Sequence, residues 1–202
     1  MRGFLAAAML VVLSACAHQI PTTASPASDF ASSRTDKIPG HWLATIQPGG
    51  LASPAEFVGH ACGAHRYWLD ATAAYAESLR GTLKAVFQEV EFAPYEPSGV
   101  PAGASGVIRV EGTTMKPEML YFDGLWSGRV EGRARFDARV AVDGPGGRLF
   151  GGHVEGKGTG KADGICLAAM PALSAAVSAG MHDMMEDLGE RLLDAPKLRA
   201  AS

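Results

Sequence analysis

Residues 129–142 constrain the fold of this chain more than any other segment, because apolar and charged side chains alternate along them. Small or apolar residues stand at the even positions, and charged residues stand at the odd positions up to 139. A period of two predicts a long β-strand with one face in the core and one face in water. The residues expected on the inner face are Val130, Gly132, Ala134, Phe136, Ala138, Val140 and Val142. Those expected on the outer face are Arg129, Glu131, Arg133, Arg135, Asp137 and Arg139.

A second strand is expected to return beside the first after a turn at residues 143–147, which read Asp-Gly-Pro-Gly-Gly. It covers about residues 148–160, and a turn of this length would place Phe136 opposite Val154. Glycine is frequent on its inner face, and small residues also follow one side of the last predicted helix. We therefore expect this helix and the return strand to pack closely. The inner glycines are Gly152, Gly156, Gly158 and Gly160, and the small residues of the helix are Ala172, Ala176 and Gly180.

Two helices and two more strands complete the predicted elements. Residues 71–90 and about 171–193 carry apolar residues at steps of three and four, which is typical of a helix buried on one side. Strands are expected at residues 41–47 and 107–115. The order strand, helix, strand, strand, strand, helix predicts an α+β domain, in which a four-stranded mixed sheet carries two helices on one face. A right-handed crossover would make the first two strands parallel and start both helices at one end of the sheet.

The amino terminus predicts export from the cytoplasm. Arg2 precedes an uncharged apolar run over residues 4–13, which is shorter than the ~20 residues needed to span a bilayer. It fits a secretory signal peptide, expected over residues 1–15. The run closes with Leu-Ser-Ala-Cys, ending at Cys16, and this ending resembles the lipobox of bacterial lipoproteins. The resemblance implies cleavage before Cys16, a lipid on its thiol and a fatty acyl group such as palmitate on its new amino group.

The residue after this cysteine is Ala17 rather than aspartate, and the same resemblance then implies the outer membrane, with the protein on the periplasmic face. Residues 16–39 are rich in Pro, Ser, Thr and Ala, which predicts a lipidated flexible tether. A single periplasmic domain is expected over residues 40–194, followed by a disordered tail over residues 195–202. The formal net charge of −3 argues against a nucleic-acid partner, because such proteins usually carry a strong basic excess.

Two cysteines remain once Cys16 carries the lipid. An even pair in an oxidising compartment predicts a disulfide between Cys62 and Cys166, and both lie shortly before the predicted helix starts. The alternative is a zinc site that combines these cysteines with His60, His65 or His153. The disulfide is the preferred interpretation, and we predict no metal site and no cofactor.

The order of elements over residues 40–193 resembles a set of bacterial envelope lipoproteins. They include the LPS-assembly lipoprotein LptE and small domains similar to the TolB amino-terminal domain. The resemblance is one of element order and includes no specific motif. It implies a protein that supports assembly or transport in the cell envelope without catalysis.

The segment around Asp123-Gly124 is the first candidate for binding. Asp-Gly between apolar residues predicts a hairpin tip, and the predicted topology puts it far from the lipid anchor. Its apolar side chains would dock into a partner or a lipid, or would instead cover the core near the disulfide. The candidate partner-binding residues are Tyr121, Phe122, Leu125 and Trp126.

The outward arginines of the long strand are the second candidate, since guanidinium groups bind phosphate well. They would hold LPS, a related glycolipid or another anionic glycan. The alternative is a solvated face, because Glu131 and Asp137 are interleaved with them. The candidate ligand-binding residues are Arg129, Arg133, Arg135 and Arg139.

The sequence has no serine elbow, no His-Glu-x-x-His pair and no phosphate loop. Ser178, His182 and Asp183 are close along the last helix, but a triad is assembled in space and not along a chain. We therefore expect a non-catalytic, lipid-anchored periplasmic protein that acts through a protein partner. The alternatives are a module that binds an anionic glycan and, less favoured, a hydrolase.

Overall fold

The described part of the computed structural model contains eight strands and three α-helices. The described residues are 16–26, 36–58, 62, 65–122 and 128–201. The strands are β1 (Cys16–Ile20), β2 (Ile38–Ile46), β3 (Ala52–Phe57), β4 (His65–Asp70), β5 (Phe87–Phe92), β6 (Gly106–Phe122), β7 (Arg129–Gly144) and β8 (Gly147–Asp163). The helices are α1 (Thr72–Val86), α2 (Ala169–Leu193) and α3 (Pro196–Ala200), and a 3₁₀ turn (Cys166–Ala168) precedes α2. None of these helices is long and apolar enough to cross a membrane.

Strand β6 organises the sheet, because it has neighbours on both edges. One edge pairs with β7, which pairs in turn with β8, so that these three strands form a long antiparallel meander. The other edge is divided: residues 106–110 pair with β2, and residues 118–119 pair with β3. β5 extends the sheet beyond β2, whereas β4 and then β1 extend it beyond β3. A bulge between Glu111 and Thr114 lies between these two groups of short strands.

The mixed α+β class is confirmed, but the predicted count of four strands is wrong. The four unpredicted strands, β1, β3, β4 and β5, have only five or six residues each. They lie in the predicted tether, between the first predicted strand and the first predicted helix, and at the end of that helix. Short strands are held by neighbours that are distant in the sequence, so a local pattern hardly shows them. The helix predicted over residues 71–90, for example, ends at Val86, and the chain continues as β5 beside β2.

Residues 16–26 pack on the domain, so the predicted flexible tether over residues 16–39 is wrong for this part. Strand β1 pairs in parallel with β4. The chain then reaches α1, where the Ser25 N–H donates to Ser78 Oγ over 2.7 Å. The next part of the predicted tether, residues 27–35, lies outside the described residues.

The pairing of β1 also decides where Cys16 lies, because Cys16 is in register with His65 at the start of β4. β4 is antiparallel to β3, and β3 is parallel to β6. The start of β1 therefore lies at the end of the molecule where β6 and β8 finish and where β7 and α2 begin. Cys62 and Cys166 lie at the same end, so we call it the disulfide end.

The carboxyl-terminal residues also differ from the prediction of a disordered tail over residues 195–202. Helix α3 occupies most of this segment, with Pro196 in its first turn. Its Leu198 is fully buried in the main core. Ser202 lies outside the described residues.

The turn between β7 and β8 is shorter than predicted. The strands close at a pair formed by Gly144 and Gly147, so two residues connect them. A bulge between Val142 and Asp143 adds to this change in register, so Phe136 lies opposite Gly156 rather than Val154. A shift of two residues keeps every side chain on its predicted face, so the inner and outer sets are unchanged.

Helix α2 packs directly on the backbone of β8, which confirms the expected pairing of small residues. A Cβ atom at Gly156 would lie 2.1 Å from the carbonyl oxygen of Gly180. One at Gly160 would lie 2.1 Å from the carbonyl oxygen of Ala172. Only glycine at these positions permits such a close approach, and the approach fixes α2 across the inner face of the meander.

Candidate functional site

The disulfide end is held by several cross-links between distant segments. Cys62 and Cys166 form the predicted disulfide, with their Cα atoms 5.5 Å apart. The Tyr67 hydroxyl donates to the carbonyl oxygen of Cys166 over 2.6 Å. Because both thiols are consumed by the disulfide, the zinc site considered from the sequence loses its two sulfur ligands. Among the described residues, no group of three or more His, Cys, Asp or Glu side chains could hold a metal ion.

A cluster of aromatic rings joins β1 to the rest of this end. His18 Nε2 and His65 Nδ1 are 2.9 Å apart and share a hydrogen bond. His18 also stacks on Tyr67, whose ring meets Phe57 edge-on. Sequence reasoning missed this cluster, although the adjacent aromatic residues Tyr67 and Trp68 favour a strand and could have revealed it.

The described residues of the predicted apolar tip, Tyr121 and Phe122, lie at this same end. They are therefore at the same end of the molecule as Cys16, whereas the sequence predicts that they lie far from it. Tyr121 is half-buried, and its ring lies against Gly128, where an added Cβ would be 2.2 Å from Tyr121 Oη. Phe122 is 47% exposed. Leu125 and Trp126 lie outside the described residues.

Further apolar side chains are exposed at the disulfide end. Val58 follows β3 and is 61% exposed, and the neighbours of Cys166, Ile165 and Leu167, are 66% and 60% exposed. With Phe122 they form a group that we call the apolar end. Large apolar side chains grouped on a surface commonly mark a contact with another molecule or a membrane.

The four arginines of β7 lie on its exposed outer face, as the alternation predicts. Two of them have acidic partners: Arg129 Nε is 3.1 Å from Asp163 Oδ1, and Arg133 Nε is 2.8 Å from Glu131 Oε1. Arg135 and Arg139 have no ion-pair partner within the described part of the chain. These two guanidinium groups are therefore the ones available to a ligand.

Arg135 belongs to a row of three cations across the meander. Lys116 on β6 and Lys157 on β8 lie directly opposite it, one on each side. We call these three residues the cationic row. Like charges that face each other across strands are destabilising, so this row costs the fold some stability. Lys157 Nζ finds partial compensation 3.7 Å from Glu155 Oε2.

Acidic groups also occupy this face. The hydrogen bond from Arg133, together with the nearby charges of Arg133 and Lys161, holds the pKa of Glu131 below its usual value, against a smaller effect of burial. Asp137 and Glu155 form a directly opposed acidic pair next to the cationic row. The face therefore alternates in sign and is not a purely cationic surface.

The hydrogen bonds of the described residues do not join Ser178, His182 and Asp183 into a triad. The Asp183 carboxylate accepts a hydrogen bond from the Lys157 N–H over 2.8 Å, so it covers a backbone donor of β8. Ser178 lies instead along a shallow groove of about 500 Å³ between the start of α2 and the amino-terminal segment. The other residues that line this groove are Pro21, Thr23, Met170, Pro171, Ser174 and Ala175.

No protein family and no curated protein matches this sequence. The solved structures that are similar to the chain include two bacterial proteins. The first is a protein from Xanthomonas campestris with the family description DUF330, at a TM-score of 0.43 and 7% identity, covering 92% of this chain and 99% of the other. The second is a homologue of a neuraminyllactose-binding hemagglutinin from Helicobacter pylori, at a TM-score of 0.35 and 12% identity, covering 76% of this chain and 81% of the other. Similarity at this level carries no functional conclusion.

Proposed function

We propose that this chain is a non-catalytic, lipid-anchored protein of the bacterial outer membrane that faces the periplasm. In this proposal it supports assembly or transport of an envelope component by binding a protein partner. The lipobox-like ending at Cys16 is the observation that supports the lipid anchor. Cys16 is also the first residue of β1. A lipid on this residue would hold a folded domain at the membrane surface.

The outer face of the meander is the surface we assign to the partner. It is built from three strands of 16 or 17 residues, and α2 covers only the opposite face. Acidic and basic side chains alternate on it. A surface of mixed charge suits a protein with a complementary pattern, because such a pattern favours one orientation and disfavours others.

Photo-crosslinking in a Gram-negative host tests this assignment. A photoreactive side chain at Thr159, which is exposed on β8 opposite Arg133, is expected to give a discrete protein adduct. The same probe at Tyr95, an aromatic residue 84% exposed in the loop after β5, serves as the control. If Thr159 gives no protein adduct, or gives the same set of adducts as Tyr95, the partner surface is wrong.

The cationic row favours a second candidate, the binding of LPS or another anionic glycan. The three cations have no neutralising neighbours directly across the strands. Phosphate or carboxylate groups of a ligand would relieve the repulsion between them. In this case Arg135→Glu should abolish LPS binding, and added salt should weaken it. Arg191→Glu changes the charge equally on α2 and should leave binding intact. Equal binding by both variants would contradict this candidate.

A further inference from the structure

Cys16 lies close to the apolar end. Cys16 lies beside His65 across neighbouring strands, which are about 4.8 Å apart. The His65 N–H donates to the carbonyl oxygen of Cys62 over 2.9 Å, and the disulfide then crosses 5.5 Å between Cα atoms to Cys166. Three short steps therefore connect the anchor residue to the exposed side chains on either side of Cys166.

We infer that the apolar end rests in the surface of the bilayer that holds the anchor, and that this contact fixes the orientation of the domain. The inference depends on the proposed lipidation of Cys16. Because β1 is paired with β4 from its first residue, no free segment separates the lipid from the folded domain. The disulfide end must then lie within a few ångströms of the headgroups, and its apolar side chains meet the membrane before they meet any other surface.

The chemistry of this end fits a bilayer interface. Val58, Phe122, Ile165 and Leu167 are between about half and two thirds exposed, and they belong to three different segments. Apolar side chains that enter the boundary between headgroups and acyl chains leave water and strengthen attachment. A lipid anchor on its own would leave the domain free to tilt, whereas a second contact at the same end restricts this motion.

The orientation has a consequence for the meander. Strand β8 has 17 residues and starts at the end of the molecule that lies opposite the disulfide end. It can therefore extend up to about 55 Å from the membrane. The cationic row lies partway along it. The partner surface would stand upright in the periplasm instead of lying flat on the bilayer.

Photo-crosslinking to lipid tests the inference. The full chain, processed and lipidated in a Gram-negative expression host, would be reconstituted in vesicles of phosphatidylethanolamine and phosphatidylglycerol. A benzophenone side chain would replace Phe122 or Ile165, with Tyr95 as the matched control. We expect at least five times more lipid adduct from either of the first two positions than from Tyr95.

Vesicle flotation separates the two levels of the proposal. If the protein floats with the vesicles but Phe122 and Ile165 give no more lipid adduct than Tyr95, the anchor stands and the membrane-facing apolar end is overturned. If the protein does not float, lipidation of Cys16 is overturned, and the orientation fails with it.

A second variant guards against local effects of the probe at Ile165. Leu167→Glu should lower the lipid adduct from the probe at Phe122 at least threefold, because a charged side chain opposes entry into the interface. Tyr95→Glu introduces the same group elsewhere and should leave that yield unchanged. Equal yields in the two variants would contradict the inference.

Discussion

Single glycines on the inner face of β8 decide how closely α2 approaches the sheet. Gly158 lies at the tightest point, where an added Cβ would be 2.0 Å from the carbonyl oxygen of Ala176 and 2.2 Å from the Gly180 nitrogen. Both contacts are to backbone atoms, which cannot rotate away as a side chain can. Gly152 is on the same face of the same strand, but its nearest neighbour would be Phe150 at an ordinary 3.6 Å.

We predict that Gly158→Ala lowers the free energy of unfolding by about 3 kcal/mol, because α2 must move away from β8 or the strand must bend. Gly152→Ala, in the same strand, should change it by less than about 1 kcal/mol. Urea denaturation of both variants measures the difference. Equal stability of the two variants would mean that α2 does not pack at backbone distance.

Asp143 near the end of β7 links two arginines on neighbouring strands. Its carboxylate accepts hydrogen bonds from Arg148 and Arg109, and Glu96 Oε1 lies 2.6 Å from Arg109 Nε. The hydrogen bond from Arg148 is the main reason that the pKa of Asp143 lies below its usual value, and Arg109 adds to it against partial burial. A carboxyl whose pKa is lowered by folding stabilises the fold above its unfolded pKa, and this contribution is lost as the pH falls through the folded value.

We therefore predict that Asp143→Asn lowers the free energy of unfolding at neutral pH by about 1 kcal/mol. The difference from the wild-type protein should shrink as the pH falls below about 4. Asp163→Asn removes a more exposed carboxylate with one partner, Arg129, and should have a smaller effect. Denaturation curves between acid and neutral pH test this, and a difference that stays constant with pH would contradict it.

At the level of elements, strand β1 makes the amino-terminal segment part of the sheet. Its pairing with β4 adds a parallel strand at one edge of the sheet, and Ile20, its last residue, is only 2% exposed. Gln19 is the adjacent residue and faces water. A flexible tether would tolerate any substitution at both positions, whereas a docked strand distinguishes them.

We predict that Ile20→Ala destabilises the protein by about 2–4 kcal/mol, since it removes a buried side chain and leaves a cavity. Gln19→Ala should change stability by less than about 0.5 kcal/mol. Hydrogen exchange of the amides in β4 should accelerate in the first variant only. Unchanged stability and exchange for Ile20→Ala would restore the interpretation of residues 16–26 as a free tether.

At the scale of the whole molecule, the disulfide connects the two ends of a long stretch of chain. Its cysteines are 104 residues apart in sequence. It joins the loop before β4 to the start of α2, so the small strands on one side of β6 are tied to the helix that covers the meander. Closing a loop of this length reduces the freedom of the unfolded chain, by an amount that the chain-entropy model puts at ~4–5 kcal/mol as an upper figure.

We predict that Cys62→Ser combined with Cys166→Ser lowers the free energy of unfolding by about 2–4 kcal/mol. A reducing agent should lower the unfolding midpoint of the wild-type protein towards that of the double variant. The same agent should not change the double variant, which serves as the control. A wild-type midpoint that is insensitive to reduction would show that the disulfide contributes little.

Local sequence patterns are sufficient to predict the long elements. The alternation over residues 129–142 predicts β7 and both of its faces, because fourteen residues of period two leave little choice of structure. The glycines of β8 and the small residues of α2 predict that these two elements pack together, since complementary small surfaces permit close approach. The even number of remaining cysteines and the expected oxidising compartment predict the disulfide. The odd-numbered positions of the arginines in the alternation predict that they face outward.

Other features were decided only by the tertiary structure. Strands of five or six residues exist because distant neighbours pair with them, so the sequences of β1 and β4 carry only weak strand signals. The register of the β7–β8 hairpin depends on the length of the turn and on a bulge between Val142 and Asp143, and the Asp-Gly-Pro-Gly-Gly sequence determines neither. Cys16 lies near the apolar end because β1 pairs with β4 and β3 pairs with β6. Such contacts join residues far apart in the chain, and no local pattern contains them.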